Sequence, residues 1–382
     1  MNIYEEIGVR PMINALSTYT RLGGSIMPPE VTAAMAEAAR THIDLVDLQQ
    51  RVGAEIARLT HNEAAYVSAG AAAGLVLATA ACVAGKDPRA IRQLPDTTGL
   101  EGLKNEIVVH KSHRNGYDHA VRQVGVKLVE IGDALSTAPW ELEAAISENT
   151  AAVFWFQGAM TGRGDLPLAK VIEIAHAADV PVLVDAAAQL PPAENLWRFT
   201  EMGADIAVFS GGKDLHGPQS AGLVLGRKDL IEACALHGNP HGAIGRPMKV
   251  GKEELVGVLA AVRWYLGLDH TARQARFERI VTEWCTALND IPGVNAERSF
   301  PNGAGQPVPR ALVTLDVQRL GVTGSEVAAQ MQAGEPSIAI GPASRDSFYL
   351  NPYTLGEGEE AIVQTHLCAY LEQVSRAVAS AD

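Results

Sequence analysis

The feature that most constrains this fold is a rhythm of short apolar runs, each bounded by turn residues and separated from the next by a helical pattern. Ile107 to Val109, Ala151 to Phe156, Val180 to Val184 and Ile206 to Phe209 are such runs. Their alternation with helices predicts an α/β core around a mainly parallel sheet. Between two of them, Leu168 to Asp179 sets Leu168, Val171, Ile172 and Ala175 at helical spacing. That stretch reads as a crossover helix and completes one βαβ unit.

Past Gly251 the pattern changes. A long helical segment from Lys252 to about Asp290 leads into short strands such as Ala311 to Leu315 and a terminal helix from about Gly358. A second, smaller domain is expected there, and 382 residues with 47% hydrophobic content suffice for both cores. Gln93 to Gly102 and His237 to Pro247 are turn-rich and predict loops, which in compact domains are often functional.

The charge balance narrows the function. With 31 basic and 44 acidic residues the net charge is −13, the wrong sign for phosphate backbones or anionic membranes. No nucleic-acid or membrane partner is expected, and a small-molecule substrate is favoured. The N-terminal MNIYEEIGVRPMIN lacks the basic stretch and apolar run of a signal peptide, and Ala69 to Val83 is too short to span a bilayer. Cys82, Cys234, Cys285 and Cys368 form neither CxxC pairs nor a zinc spacing, which suits a reduced, cytoplasmic setting.

Four segments carry chemistry. In PVLVDAAAQ a buried-type strand ends on Asp185, where open α/β sheets place ligands; a turn-capping carboxylate is the alternative. In GADIAVFSGGKDLHG a second such strand meets Ser210, Gly211, Gly212 and Lys213. Burying that lysine would lower its pKa and free its amine as a nucleophile, whereas a surface lysine in a glycine turn would do nothing. The segment from Tyr66 to Gly74 opens an Ala-rich helix whose small residues either bring backbone N–H groups to an anion or pack tightly on the sheet. In IVVHKSHRNGYDHA, His110, His113, Arg114, Tyr117, Asp118 and His119 cluster at a strand end. Those histidines suit stacking on an aromatic cofactor or acid–base work, and their spacing is not that of a metal site, so none is expected.

An anion cradle, a planar group, a carboxylate and a lysine at the ends of core elements together match what pyridoxal 5'-phosphate (PLP) requires. Neither GxGxxG after an early strand nor GxxxxGK[ST] occurs in the context a dinucleotide or P-loop site needs.

The motifs RPMIN (from Arg10), LGGS (from Leu22), SAGAAAG, HRNGYD, VDAAAQLPP, SGGKDLHGPQSAG and GRPMKVGKEE also resemble the fold-type-I PLP enzymes of the selenocysteine-synthase-like family, nearest to its D-glucosaminate-6-phosphate ammonia-lyase-type members. The likeness covers most of the chain up to about residue 265. It implies that Lys213 bonds the cofactor, Asp185 pairs with its ring nitrogen and His113 stacks on its ring. Gly70, Ala71 and Ala72 would hold the phosphate through backbone amides, with Ser210 adding a hydroxyl and Gln189 lying near the ring. It further implies an N-terminal segment, 1–40, packed near the active site, a PLP-binding large domain, 41–255, and a small C-terminal α+β domain, 256–382. A homodimer or higher even-numbered oligomer is expected, with His216, Gln219 and the loop from Arg246 to Lys249 facing a neighbouring subunit.

Two departures bear on activity. No tRNA-binding domain is evident, which disfavours tRNA chemistry, and Gly341 stands where an arginine near the substrate is expected, with Arg345 close by. Arg10, His216, Arg246 and Arg345 are the candidate substrate contacts. The expected reaction is α-proton abstraction and β-elimination on a small β-substituted amino acid, giving ammonia and a 2-oxo acid. A racemase or aldolase is the enzymatic alternative, and a PLP carrier or regulator the non-enzymatic one.

Overall fold

The computed structural model describes residues 3–133, 135–158, 161–162 and 164–379. The chain divides into two units, Met27–Leu268 and a second that joins Met1–Ile26 to Asp269–Asp382. The expected large and small folds are both present, as a mostly parallel sheet flanked by helices and a smaller α+β body.

Among the described residues, strand β1 (Met12–Asn14) belongs to the second unit, and the next seven strands build the sheet of Met27–Leu268. They are β2 (Ala64–Ser68), β3 (Glu106–His110), β4 (Lys127–Ile131), β5 (Thr150–Phe156), β6 (Val182–Asp185), β7 (Ile206–Ser210) and β8 (Gly222–Gly226), in the order β2-β8-β7-β6-β5-β3-β4. The pairings from β4 through β7 are parallel, and β8 runs antiparallel to both β7 and β2. β3, β5, β6 and β7 are continuous buried apolar runs because helices cover both faces of the sheet. The crossover helix Leu168–Ala177 buries Leu168, Val171, Ile172, Ile174 and Ala175. The Ala-rich helix Gly70–Ala84 is buried along nearly its whole length.

Two glycines let that helix lie so close. A Cβ on Gly74 would meet Val208 Cγ1 at 2.9 Å and Ser68 Oγ at 3.0 Å, and one on Gly222 would meet the Gly70 carbonyl carbon at 2.6 Å. The helix start is therefore pressed against the row where β2 ends, β8 begins and β7 ends, since Ser68 and Ser210 both pair with Gly222.

The long helical segment expected from Lys252 is two helices, Lys252–Leu266 and His270–Asn289. Gly267 ends the first, and Asp269 starts the second by accepting from Ala272 N–H at 2.9 Å. The unit boundary falls in this break. In the second unit, β9 (Val294–Ser299), β10 (Arg310–Leu315), β12 (Gly341–Pro342) and β13 (Ser347–Leu350) form an antiparallel sheet, while β11 (Ser337–Ala339) pairs with β1. The terminal helix is Glu359–Ala379. No helix of the described residues is long and apolar enough to cross a membrane.

Candidate active site

The parallel strands of the larger sheet deliver their C-terminal ends to one edge, and most of the residues read as functional lie there. Asp185 is the last residue of β6, is 3% exposed, and is paired to Phe156 of β5 and Val208 of β7. Its Oδ1 accepts from Ala187 N–H at 3.0 Å. Burial pushes this carboxyl above the usual range, against the Ala187 N–H and the Lys213 charge, which both favour ionisation.

Ser210 ends β7, and the chain then turns through Gly211 and Gly212 into part-buried Lys213. Both glycines are required by a returning segment. A Cβ on Gly211 would sit 2.8 Å from the Ala221 carbonyl oxygen, and one on Gly212 would sit 2.4 Å from Gln219 Cα. The hydrogen bonds Gly211 N to Ala221 O, Gly217 N to Gly211 O and His216 N to Lys213 O close the turn. Burial holds the Lys213 ammonium below its ordinary pKa, and Asp185 opposes that fall. Asp185 and Lys213 therefore sense each other's charge at the sheet edge. Next along the turn, buried Asp214 accepts from the Tyr265 hydroxyl at 2.7 Å.

Gly70 opens the Ala-rich helix with φ +81°, a left-handed conformation that suits glycine, and its neighbours Ala71 and Ala72 follow at the edge of the same strand row. First-turn N–H groups of a helix have no intrahelical acceptor. Those of this helix lie beside Ser210 through the Ser68–Gly222–Ser210 row.

His113 sits in the turn after β3. Its Nδ1 accepts from Phe156 N–H at 3.3 Å and its Nε2 lies 3.2 Å from Asp165 Oδ2. The ring is fully buried, edge-on to Trp155 at 4.6 Å and tilted on His110 at 4.7 Å. Burial lowers the pKa of His113 despite Asp165, and that of buried His110 to about 4. Ser112 Oγ donates to Asp165 Oδ1 at 2.7 Å, which fixes the carboxylate. Gln189 is nearby, with its Nε2 on the Gln157 carbonyl at 3.0 Å.

Sequence reasoning passed over Asp165 and Trp155. Asp165 follows the end of β5, so its place after a parallel strand was the available signal, whereas Trp155 looks like any core aromatic.

The substrate-side candidates are divided between the two units. Part-buried His216 has φ +52° and meets the Trp264 ring at 5.2 Å. Arg246 is exposed on the loop 238–247. Arg10 and Arg345 belong to the second unit. There Arg10 donates to the Gln332 and Ala333 carbonyls, at 2.5 and 3.3 Å, at the end of the helix Gly324–Ala333. Arg345 is exposed, with its charge acting on Glu326.

Residues 104–242 match the aminotransferase class-V family. A 5'-C-glycyluridine monooxygenase-decarboxylase from a Streptomyces species is 35% identical over 94% of this chain and 90% of that protein. The D-glucosaminate-6-phosphate ammonia lyase of Salmonella typhimurium is 32% identical over 96% of this chain and 97% of that protein. A solved D-glucosaminate-6-phosphate ammonia-lyase superposes with a TM-score of 0.84 at 32% identity, covering 99% of each chain. An L-seryl-tRNA(Sec) selenium transferase of Nitratidesulfovibrio vulgaris is 28% identical over 91% of this chain and 79% of its own length.

Proposed function

Because the chain belongs to the selenocysteine-synthase-like family of fold-type-I PLP-dependent enzymes, we propose that it is a lyase acting on a small amino acid with a β-hydroxyl or other β-substituent, releasing ammonia and a 2-oxo acid. The observation that carries the reading is the pair at the sheet edge, buried Asp185 and part-buried Lys213, each with its charged form disfavoured by burial and favoured by the other.

The residues fit the cofactor. Asp185 would face the ring nitrogen, Lys213 would bond the aldehyde carbon, and the N–H groups of Gly70, Ala71 and Ala72 with the Ser210 hydroxyl would hold the phosphate. The left-handed φ of Gly70 and the missing Cβ of Gly222 let the helix start lie against the strand row that ends in Ser210. Bound PLP supplies an electron-withdrawing ring that acidifies the substrate's α-carbon.

This chain's own residues do the rest. An ionised Asp185 keeps a proton on the ring nitrogen, which a neutral partner could not. Lys213 Nζ, whose ammonium form burial disfavours, accepts the α-proton. His216, three residues on and held by Trp264, delivers a proton to the departing β-substituent. His113 and Gln189 bound the ring side of the site, with Asp165 orienting His113. Arg10, Arg246 and Arg345 remain substrate contacts on the resemblance alone. A homodimer or larger even-numbered oligomer completes the proposal, checked by light scattering, where an active monomer would contradict it.

A second reading rests on the 35% identity to a monooxygenase-decarboxylase. The same edge would then serve loss of carbon dioxide with consumption of oxygen. One panel separates the readings: D- and L-amino acids, hydroxylated and phosphorylated ones included, assayed for ammonia, 2-oxo acid, carbon dioxide and oxygen uptake, with and without added keto acid. Equal ammonia and 2-oxo acid without keto acid is the expected result. Strict dependence on keto acid contradicts it, inversion without ammonia favours a racemase, and oxygen uptake with carbon dioxide release favours the second reading.

A further inference from the structure

In the second unit, the arginines around the antiparallel sheet mostly have their charge answered. Arg298 makes a two-point contact with Glu278, at 2.8 and 2.7 Å, and its guanidinium lies over Phe300. Arg276 meets Glu360 at 3.0 Å, and Arg279 meets Glu283 at 3.0 Å.

Arg310 differs. It opens β10, where Ala311, Val313 and Leu315 face the core, so Arg310 and Leu312 lie on the other face with Tyr349, the register partner of Leu312. Its guanidinium carbon lies 3.8 Å from the centre of the Tyr349 ring, a close cation–π stack. The Nε is buried and has no acceptor. Among the described residues no carboxylate pairs with it, and the groups acting on it besides burial are the Tyr349 and Tyr19 phenols.

Two glycines border the Arg310–Tyr349 stack. Gly303 stands beside Nη1, which a Cβ there would approach to 3.3 Å. Gly341, opposite Tyr349, adds no side chain of its own, and Leu16 packs into that space.

A guanidinium is an obligate cation with five N–H donors and no acceptor, arranged as a planar fork. Held half-buried on an aromatic platform without a counter-ion, it incurs the desolvation cost of a charge without the pairing that usually offsets it. The group that fits must accept two parallel hydrogen bonds and carry negative charge.

We propose that Arg310, seated on Tyr349, is an oxyanion-binding site of the second unit that takes a carboxylate or phosphate group. This goes beyond the cofactor reading and stands whether or not PLP chemistry is elimination. The fork contacts the anion in plane, and Tyr349 fixes the guanidinium from below.

The test is site-resolved modification of the PLP-loaded wild-type protein with phenylglyoxal, followed by peptide mass mapping, in acetate, in inorganic phosphate and in neutral acetamide. Arg310 modification should slow about 10-fold at an anion concentration ten times its Kd, and acetamide should have no effect. Arg298, already paired, is the internal control and should not respond. A rate at Arg310 indifferent to both anions overturns the proposal. So does an Arg310 inert under all conditions, because a guanidinium the reagent never reaches admits no anion.

Kinetics then identify the source. If the anion is the amino-acid substrate's own carboxylate, Arg310→Gln raises KM on the order of 100-fold with a smaller change in kcat, and Arg310→Lys recovers part of it. If phosphate protects Arg310 and KM is unmoved, the site serves a separate phosphorylated ligand.

Discussion

Asp185 and Asp205 are two aspartates at opposite ends of β6 and β7, and their difference separates structure from function. Each is only 3–4% exposed. Asp205 precedes β7 and its carboxylate is saturated: Arg227 Nη1 donates at 2.7 Å, Val182 N–H at 2.7 Å, and His176 Nε2 lies at 2.9 Å. Asp185 ends β6 and accepts one hydrogen bond among the described residues, from Ala187 N–H. A carboxylate that spends all its acceptors on its own fold holds strands in place. One kept buried with acceptors to spare beside Lys213 is built to receive something else.

Four substitutions or titrations break or sharpen this contrast. Asp185→Asn should retain PLP and lower kcat by 10²- to 10³-fold, on the order of a lost preorganised electrostatic group. Absorbance of the bound cofactor and steady-state rates measure the two effects, and near wild-type kcat would remove Asp185 from the mechanism. Asp205→Asn should do the reverse, lowering unfolding stability by about 3 kcal/mol as the Arg227 and His176 charges lose their acceptor. Turnover per folded molecule should stay within about twofold, as expected for a group that acts only through folding. Denaturant melts of both variants decide whether the two carboxylates play separate roles.

Gly222→Ala comes next in size. Its Cβ would press on the Gly70 backbone at 2.6 Å, so PLP affinity should weaken by about 10-fold through a displaced cradle, with a stability loss of about 1–3 kcal/mol from overpacking. Unchanged affinity would place the phosphate elsewhere.

The smallest effect is in the pH dependence of cofactor-free protein. The folded pKa of Asp185 is raised by burial, so between the unfolded and folded values the native state holds the extra proton. The contribution is present below the unfolded pKa and is lost as pH rises through the folded pKa. Asp185→Asn should therefore flatten the fall in stability across that window, by about 1.4 kcal/mol for every tenfold difference in proton affinity between the folded and unfolded carboxyl. A curve parallel to wild type would contradict the assignment.

Much of this edge was legible because buried parallel strands leave a strong local signature. The runs at Ile107, Ala151, Val180 and Ile206 became β3, β5, β6 and β7, since strands covered on both faces must be apolar throughout. β4 was harder to see because Lys127 and Glu130 give its exposed edge a mixed pattern. β8 is glycine-bounded and antiparallel, and its role in bringing Gly70 to Ser210 depends on pairing with β2, far away in sequence, as well as with the preceding β7.

The site shows the same division. Lys213 and Asp185 announce themselves locally, as polar residues at or just past the ends of core strands. The pairing of His113 with Asp165 joins the turn after β3 to the loop after β5, and no short-range pattern encodes it. The joining of Met1–Ile26 to the C-terminal unit likewise rests on β1 lying parallel to β11, a contact between chain ends. Arg310 was invisible as a candidate because its distinction is the absence of a counter-ion, which only the packed structure reveals.

Everything proposed for the sheet edge depends on Lys213 being the residue that bonds the cofactor. Borohydride reduction of the PLP-loaded protein, followed by proteolysis and mass mapping, tests it directly. The phosphopyridoxyl group should appear on Lys213 alone, and Lys213→Ala should carry no label while keeping its fold by circular dichroism. Label on any other lysine, or full labelling of Lys213→Ala, would contradict that role.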